Sequence, residues 1–163
     1  MTIQKSERHQ KIIGQYGEHF VCNRLSTSGF DVMRVDHVGI DILAFRQDGL
    51  RLGISVKSRT RHRKEREDAT VNLFLATEDK LERVCKRLQV KPWIAVYVET
   101  ETCADLFMTS LDNYRKKYDR STKLMTWGMK KKHKDGYGED AAVLHCHVEF
   151  TVNRWFENLK DET

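Results

Sequence analysis

An acid, a hydroxyl and an amine lie on two apolar runs that a short turn joins. Asp41 belongs to the first run, and Ser55 and Lys57 belong to the second. Both runs alternate in the manner of half-buried strands, and the Gln-Asp-Gly turn at 47–49 is typical of a hairpin. The apolar faces of the two strands coincide only if the loop has an odd number of residues or contains a β-bulge. A three-residue loop with Gly49 in a left-handed conformation is one example. In that register Asp41 lies opposite Ser55, and Lys57 follows one step along the same face.

This trio suits chemistry with a bound cation and an activated water. The Asp41 carboxylate can hold a hard divalent cation, and the Val56 backbone carbonyl can be a second oxygen ligand. The amine of Lys57 can orient or deprotonate a water, or stabilise negative charge in a transition state. Ser55 is limited to hydrogen-bonding a water at the cation. The alternative is a salt bridge between Asp41 and Lys57 on the sheet face.

A helix predicted over residues 6–27 carries a second acid, because its apolar residues recur every three or four positions. Gly14 and Gly17 interrupt it, and each costs up to about 1 kcal/mol relative to alanine. That cost is more readily borne where another backbone passes close by. Glu18 follows the second glycine and reaches the cation if the helix closes onto the sheet. Taken alone, a glutamate here is typical of a solvated helix face.

The rest of the chain predicts an α/β domain on a mixed sheet. Further strands are predicted at residues 30–35, 71–75, 93–98, 103–109 and 143–152. Helices are predicted from 77 to before 91, at 111–117 and, as a turn, at 153–159. The second helix crosses over to 93–98, a nearly continuous apolar run that suits a central strand. Residues 119–140 are interpreted as a basic loop or mobile insertion.

Length and composition favour a single globular domain over residues 1–163, with a core at about 6–110 and a basic segment at about 114–140. The chain is 39% hydrophobic and 33% charged, which argues against a disordered protein. No apolar stretch approaches the roughly 20 residues that span a bilayer. The N-terminal residues lack the apolar core of a signal peptide, so we expect a cytoplasmic protein without a membrane partner. The four cysteines form no CxxC pair, which favours free thiols.

The net charge of +5 is unevenly distributed. Residues 57–66 carry six basic residues and one acid, and residues 114–134 carry nine basic residues and one acid. Both segments could follow a phosphate backbone, although each alone also fits a solvated surface. The candidate nucleic-acid contacts are Ser58, Arg59, Arg61, Arg63, Lys130, Lys131 and Lys132.

Two minor candidates lie near the end of the chain. His145 and His147 would share one face of a strand, which is compatible with metal binding, but no third ligand is visible nearby in the sequence. Trp127 lies in the predicted basic loop and is a candidate base-stacking residue. Core or interface packing is the simpler expectation for the tryptophans.

Three segments carry the candidate catalytic residues: GQYGEHFVCNRLSTSGFDV, VGIDIL and LGISVKS. Together they resemble the PD-(D/E)xK nuclease superfamily, most closely Holliday-junction-resolvase-like and Mrr-like restriction endonuclease domains. The resemblance covers residues 12–58 by motif and extends to about 110 only by the order of elements. It implies a three-layer restriction-endonuclease-like fold, with a central mixed β-sheet flanked by helices.

The resemblance also implies a metal-dependent endonuclease that hydrolyses DNA phosphodiester bonds, of restriction or resolvase type. Mg²⁺ or Mn²⁺ would be held by Asp41, Val56 and Glu18, with Lys57 at the attacking water. DNA would be the partner, and a homodimer would supply two sites for cutting two strands.

Ser55 departs from the commonest pattern of the superfamily that the chain resembles. Many members of that superfamily have Glu or Asp at this position. Serine lowers the negative charge of the site and argues against tight binding of two metals. One alternative is therefore a catalytically inactive nucleic-acid-binding module that retains the nuclease fold. Another is a small protein-interaction domain with a salt-bridged sheet.

Overall fold

The computed structural model describes residues 5–61, 69–75, 80–119 and 123–150. The elements follow in this order: α1 (His9–Ser26), β1 (Phe30–His37), β2 (Ile40–Arg46), β3 (Arg51–Thr60), β4 (Val71–Leu75), α2 (Lys80–Leu88), β5 (Lys91–Glu99), β6 (Cys103–Ser110), α3 (Leu111–Lys117), β7 (Leu124–Trp127), α4 (Lys131–Glu139) and β8 (Val143–Glu149). In these ranges no helix has the length and apolar character needed to cross a bilayer.

A six-stranded mixed sheet forms the centre, in the order β1-β2-β3-β5-β6-β8. Strands β3 and β5 are parallel, and α2 lies in the crossover between them, as the sequence predicts. The other neighbours in this sheet are antiparallel. Strands β4 and β7 pair separately as a two-stranded sheet.

Apolar side chains fill both faces of the central sheet. On one face α1 buries Ile13, Val21 and Leu25 against a cluster that includes Ile54 of β3. On the other face α2, β4, β7 and α4 contribute to a second cluster. The middle of β5 is buried throughout, because its alternate residues serve the two clusters. Helices therefore flank the sheet on both sides.

The hairpin register agrees with the expectation from alternation. Ile42 lies opposite Ile54, so opposed residue numbers sum to an even number. The loop contains residues 47–49. The Arg46 N–H closes it by donating a hydrogen bond to the Leu50 carbonyl at 2.9 Å. Gly49 adopts φ +89°, a left-handed conformation that a glycine adopts without steric cost.

The interpretation of residues 119–140 as a loop is wrong for the part that the structure describes. Strand β7 and helix α4 lie within it, and each buries apolar residues in the second cluster. Trp127 is only 1% exposed and stacks on Tyr137, with ring centroids 4.1 Å apart, so it offers no surface to a base. The helical turn at 153–159 falls outside the described residues, and the single-domain assignment stays a prediction.

Candidate functional site

Strands β2 and β3 separate where the candidate acid lies. The β2–β3 pairing ends at Ile42 and Ile54, whereas the pairing of β3 with β5 runs from Leu52 to Thr60. Asp41 bridges the gap: its Oδ2 accepts the Val56 N–H at 2.6 Å and the Ser55 hydroxyl at 3.3 Å. We call this place, formed by Asp41, Ser55, Val56 and Lys57, the fork.

The backbone carbonyl of Val56 points into the fork. In a strand the N–H and C=O of one residue point to the same side, and the Val56 N–H donates to Asp41 there. The second carboxylate oxygen of Asp41, Oδ1, accepts no hydrogen bond from the described residues. One anionic and one carbonyl oxygen are thus available, a donor set that fits a hard divalent cation retaining several waters.

Lys57 lies two residues after Ser55, so the two side chains share a face of β3. The lysine is half-buried. Within the described ranges its ammonium makes no hydrogen bond or ion pair, so the salt bridge to Asp41 that the sequence left open does not form. A free cation beside an anchored carboxylate can orient a water or meet developing negative charge.

Glu18 is held away from the fork by an arginine of β1. Its Oε2 accepts two hydrogen bonds from Arg34, at 2.7 and 3.0 Å, in a two-pronged ion pair. Arg34 lies opposite Ile42, whose side chain packs on the α1 face of the sheet. Among the described residues Glu18 has no contact of this kind with Asp41. The partner that would compensate for Ser55 is therefore neutralised on the helix side.

The close approach that the glycines of α1 suggested occurs at Gly17. A Cβ at this position would collide with the Oγ of Ser58 and meet the Tyr97 Cβ at 3.3 Å, whereas Gly14 faces open space. Ser58 is buried, and its Oγ has no hydrogen-bond partner among the described residues. Its hydroxyl faces the helix, and the phosphate contact expected of Ser58 stays a prediction.

The first basic segment is only partly within the described chain. Arg59 is half-buried and donates to the Ser58 carbonyl at 2.8 Å, and Arg61 donates to the Thr70 carbonyl at 3.1 Å. Arg63 lies outside the described residues. The N-terminal Lys5 reaches the same strand end and donates to the Thr60 carbonyl at 3.1 Å. Positive groups therefore gather where β3 leaves the fork.

The candidate lysines of the second basic segment lie at the start of helix α4. Lys130 precedes α4, and Lys131 and Lys132 begin it, all three exposed. Lys131 pairs with Asp135 at 2.9 Å within the helix. Helix α4 packs near β8, which two strands, β5 and β6, separate from β3. The first basic segment precedes β4 and the second contains β7, and these two strands pair with each other.

Two functional candidates escaped the sequence reasoning. Arg34 is an isolated arginine in a predicted strand, and nothing local indicates that it meets Glu18. A carboxylate oxygen of Asp105 lies within 4.8 Å of ring nitrogens of His145 and His147, which makes Asp105 a candidate third ligand that the sequence did not reveal. Its signal was a single acid inside the apolar run 103–109, but the pairing of β6 with β8 could not be read from that run.

Comparison with known proteins supports the fold. A similar structure is that of Hjc, a Holliday junction resolvase from the archaeal hyperthermophile Archaeoglobus fulgidus. The match has a TM-score of 0.52 at 15% sequence identity and covers 71% of this chain and 88% of the resolvase chain. The predicted nuclease-like fold class is confirmed. No protein-family model matches the sequence, and no curated protein does.

Proposed function

We propose that this protein is a metal-dependent endonuclease that hydrolyses DNA phosphodiester bonds, of restriction or resolvase type. The observation that carries the proposal is the fork. There an anchored carboxylate, an inward-pointing carbonyl and a lysine meet on a fold shared with a Holliday junction resolvase. Within the described residues, one oxygen of that carboxylate and the lysine ammonium have no partner.

Each group at the fork has a role. Asp41 Oδ1 and the Val56 carbonyl would hold one Mg²⁺ or Mn²⁺, and the Val56 N–H keeps the Asp41 carboxylate from rotating away. Bound there, the cation would lower the pKa of a water and neutralise charge on the phosphate. Lys57 orients that water or stabilises the charge that develops on the phosphoryl oxygens. Ser55 donates to Asp41 and adds no negative charge.

The substrate runs from the fork along the end of β3. Lys5 and Arg59 line a recess there together with His9, whose Nε2 lies 2.8 Å from the Thr60 hydroxyl. Cationic groups at such a strand end position a phosphate backbone without reading its sequence. Arg61 and Arg63 extend the same segment, and the lysines at 130–132 supply further phosphate contacts.

The test is cleavage by the purified full chain. Linear duplex, supercoiled plasmid and four-way-junction DNA are incubated with Mg²⁺ or Mn²⁺, and EDTA provides the metal-free control. We expect cleavage of at least one substrate that EDTA abolishes. Intact DNA in all three forms with both metals would contradict the proposal.

A second candidate is a non-catalytic DNA-binding module that retains the nuclease fold. The ion pair between Glu18 and Arg34 favours it, because the second acid is occupied at 2.7 Å while Ser55 supplies no charge. A fork with one carboxylate binds a cation weakly. The basic residues along β3 can still bind DNA without that cation.

Binding measurements separate the two candidates. For the module we expect DNA affinity that falls steeply with salt, with no need for a divalent cation. Asp41→Asn then leaves the dissociation constant unchanged or slightly lower, because it removes one negative charge. For the nuclease the same variant binds DNA but no longer cuts it.

A further inference from the structure

A buried aspartate and two histidines meet at the far edge of the central sheet. Asp105 of β6 lies opposite His147 of β8, and His145 lies opposite Phe107 one step along the same face. Asp105 Oδ1 is 2.9 Å from His145 Nε2 and 2.7 Å from His147 Nδ1. We call Asp105, His145 and His147 the edge triad.

These distances are close to those that a metal ion requires. Zinc binds imidazole nitrogen and carboxylate oxygen at roughly 2.0–2.2 Å, which puts neighbouring tetrahedral ligands roughly 3.3 Å apart. The triad contacts at 2.7 and 2.9 Å therefore need to widen by roughly half an ångström. The two ring nitrogens already lie within 4.8 Å of each other.

The surroundings prepare the triad for a cation. Asp105 has a side chain only 9% exposed, whereas the two histidines are 34% and 44% exposed. Burial by itself would raise the pKa of Asp105, but the hydrogen bonds from both histidines and the nearby Lys134 ammonium hold this pKa below its ordinary value. Phe107 stacks on the His145 ring with centroids 4.4 Å apart and fixes its plane. A buried carboxylate thus lies beneath two accessible imidazoles, and stacking orients the one on His145.

We propose that the edge triad is a binding site for a divalent transition-metal ion, with Zn²⁺ as the best fit. Two imidazole nitrogens and one carboxylate oxygen are the donors that this ion class prefers. Each imidazole would bind the ion through the ring nitrogen that faces Asp105, in the tautomer that leaves this nitrogen unprotonated. Three protein ligands leave a fourth position open to water.

The edge triad is a different site from the fork. Its residues belong to β6 and β8, whereas the fork belongs to β2 and β3, and β5 lies between the two pairs. The donors differ as well, because the fork offers only oxygen and the triad offers two nitrogens. Zinc binding at the triad therefore goes beyond the proposed nuclease function and does not depend on it.

Direct zinc titration of the metal-free full chain tests the proposal. We expect one saturable Zn²⁺ site by calorimetry and a higher melting temperature with zinc. At a hundredfold excess over the dissociation constant the increase should be roughly 5–10 °C for a chain of this size. His147→Ala and Asp105→Asn should each weaken binding by about 100-fold or more, since loss of mere supporting residues already costs about 10–100-fold.

Cys146 supplies a matched control. It lies between the two histidines in sequence, but alternation turns its side chain to the opposite face, where it packs with the α1 cluster. Cys146→Ser should leave the zinc dissociation constant unchanged, and so should Asp41→Asn at the fork. Lys134 Nζ lies 3.7 Å from Asp105 Oδ2, so Lys134→Ala should tighten binding by removing a competing cation.

Two outcomes would overturn the proposal. One is the absence of saturable zinc binding by the wild-type chain. The other is zinc binding that persists in both His147→Ala and the milder His147→Gln but is lost in Cys146→Ser. That result would assign the ion to the cysteines. Far-UV circular dichroism of the metal-free variants establishes that they fold, as the exposure of His147 leads us to expect.

Discussion

The fork and the edge triad each place an aspartate on the same sheet, but different partners hold the two carboxylates. Asp41 is anchored by a backbone N–H and a hydroxyl, while Asp105 is anchored by two imidazoles. A neutral hydroxyl and an amide leave only oxygen to a cation, whereas imidazoles can turn and become ligands themselves. The partners of an aspartate therefore decide which class of cation it can hold.

The two regions also differ in their nearest positive charge. Lys134 is 3.7 Å from Asp105 and competes with a metal there, whereas Lys57 at the fork makes no ion pair within the described chain. The acid that the sequence assigned to the fork, Glu18, is instead neutralised by Arg34. The following predictions use these differences to separate the two sites.

The largest effect is expected for Asp41→Asn. The amide oxygen can still accept the Val56 N–H, so the fold is kept while the anionic ligand is lost. Cleavage should fall by about 1000-fold or more, because both water activation and charge neutralisation depend on the cation. Cleavage rates under single turnover measure this, with Asp31→Asn, an exposed aspartate of β1, as the control. Undiminished cutting would remove the fork from the proposed mechanism.

Lys57→Ala should lower the cleavage rate by about 100- to 1000-fold, the cost of removing one donor aimed at developing charge. The matched control is Lys91→Ala, because Lys91 is exposed at the start of β5, far along the strand from the fork. Neither variant should change the zinc affinity of the edge triad. If both lysine variants lose activity equally, the effect reflects general DNA affinity and not chemistry at the fork.

Gly17→Ala should destabilise the protein by about 1–3 kcal/mol, because the new methyl group overpacks the contact with Ser58. Chemical denaturation gives the free energy of unfolding. Gly14→Ala is the internal control: it faces open space and should be neutral or stabilising by up to about 1 kcal/mol. Below the unfolding transition, zinc binding by Gly17→Ala should match the wild type, since α1 does not contact the triad. Equal stability of the two alanine variants would contradict the close approach.

The smallest effect is expected for Arg34→Ala, which releases Glu18. An exposed ion pair contributes about 0–1 kcal/mol, so the apparent Mg²⁺ affinity should rise by at most about fivefold. Cleavage rate against Mg²⁺ concentration measures it, with Arg46→Ala, which breaks the exposed pair with Asp48, as the control. A lower Mg²⁺ affinity in Arg34→Ala would mean that the ion pair positions Glu18 for the metal and does not withhold it.

The sequence alone determined the elements whose signals are local. Alternation of apolar residues and the Gln-Asp-Gly turn fixed the register that brings Asp41 to Ser55, because a shift by one residue would expose the buried face. The apolar run of β5 likewise predicted a strand covered on both faces, and the helix before it predicted the parallel crossover from β3.

Local signals failed between residues 119 and 140. Strand β7 has only four residues, and α4 contains two glycines, so neither has a strong pattern of its own. Both are held by aromatic packing, in which Trp127 and Tyr137 meet Phe107 of β6. Short elements of this kind gain most of their stability from tertiary contacts, which the local sequence does not contain.

Tertiary structure alone decided how the acids are used. Glu18 and Arg34 are 16 residues apart, and Asp105 and His147 are 42 apart. Neither pairing follows from periodicity, because it depends on how α1 lies over β1 and on which strand joins β6. The sequence thus determined the catalytic candidates of one hairpin, while the packing of distant elements neutralised one acid and brought an aspartate to two histidines.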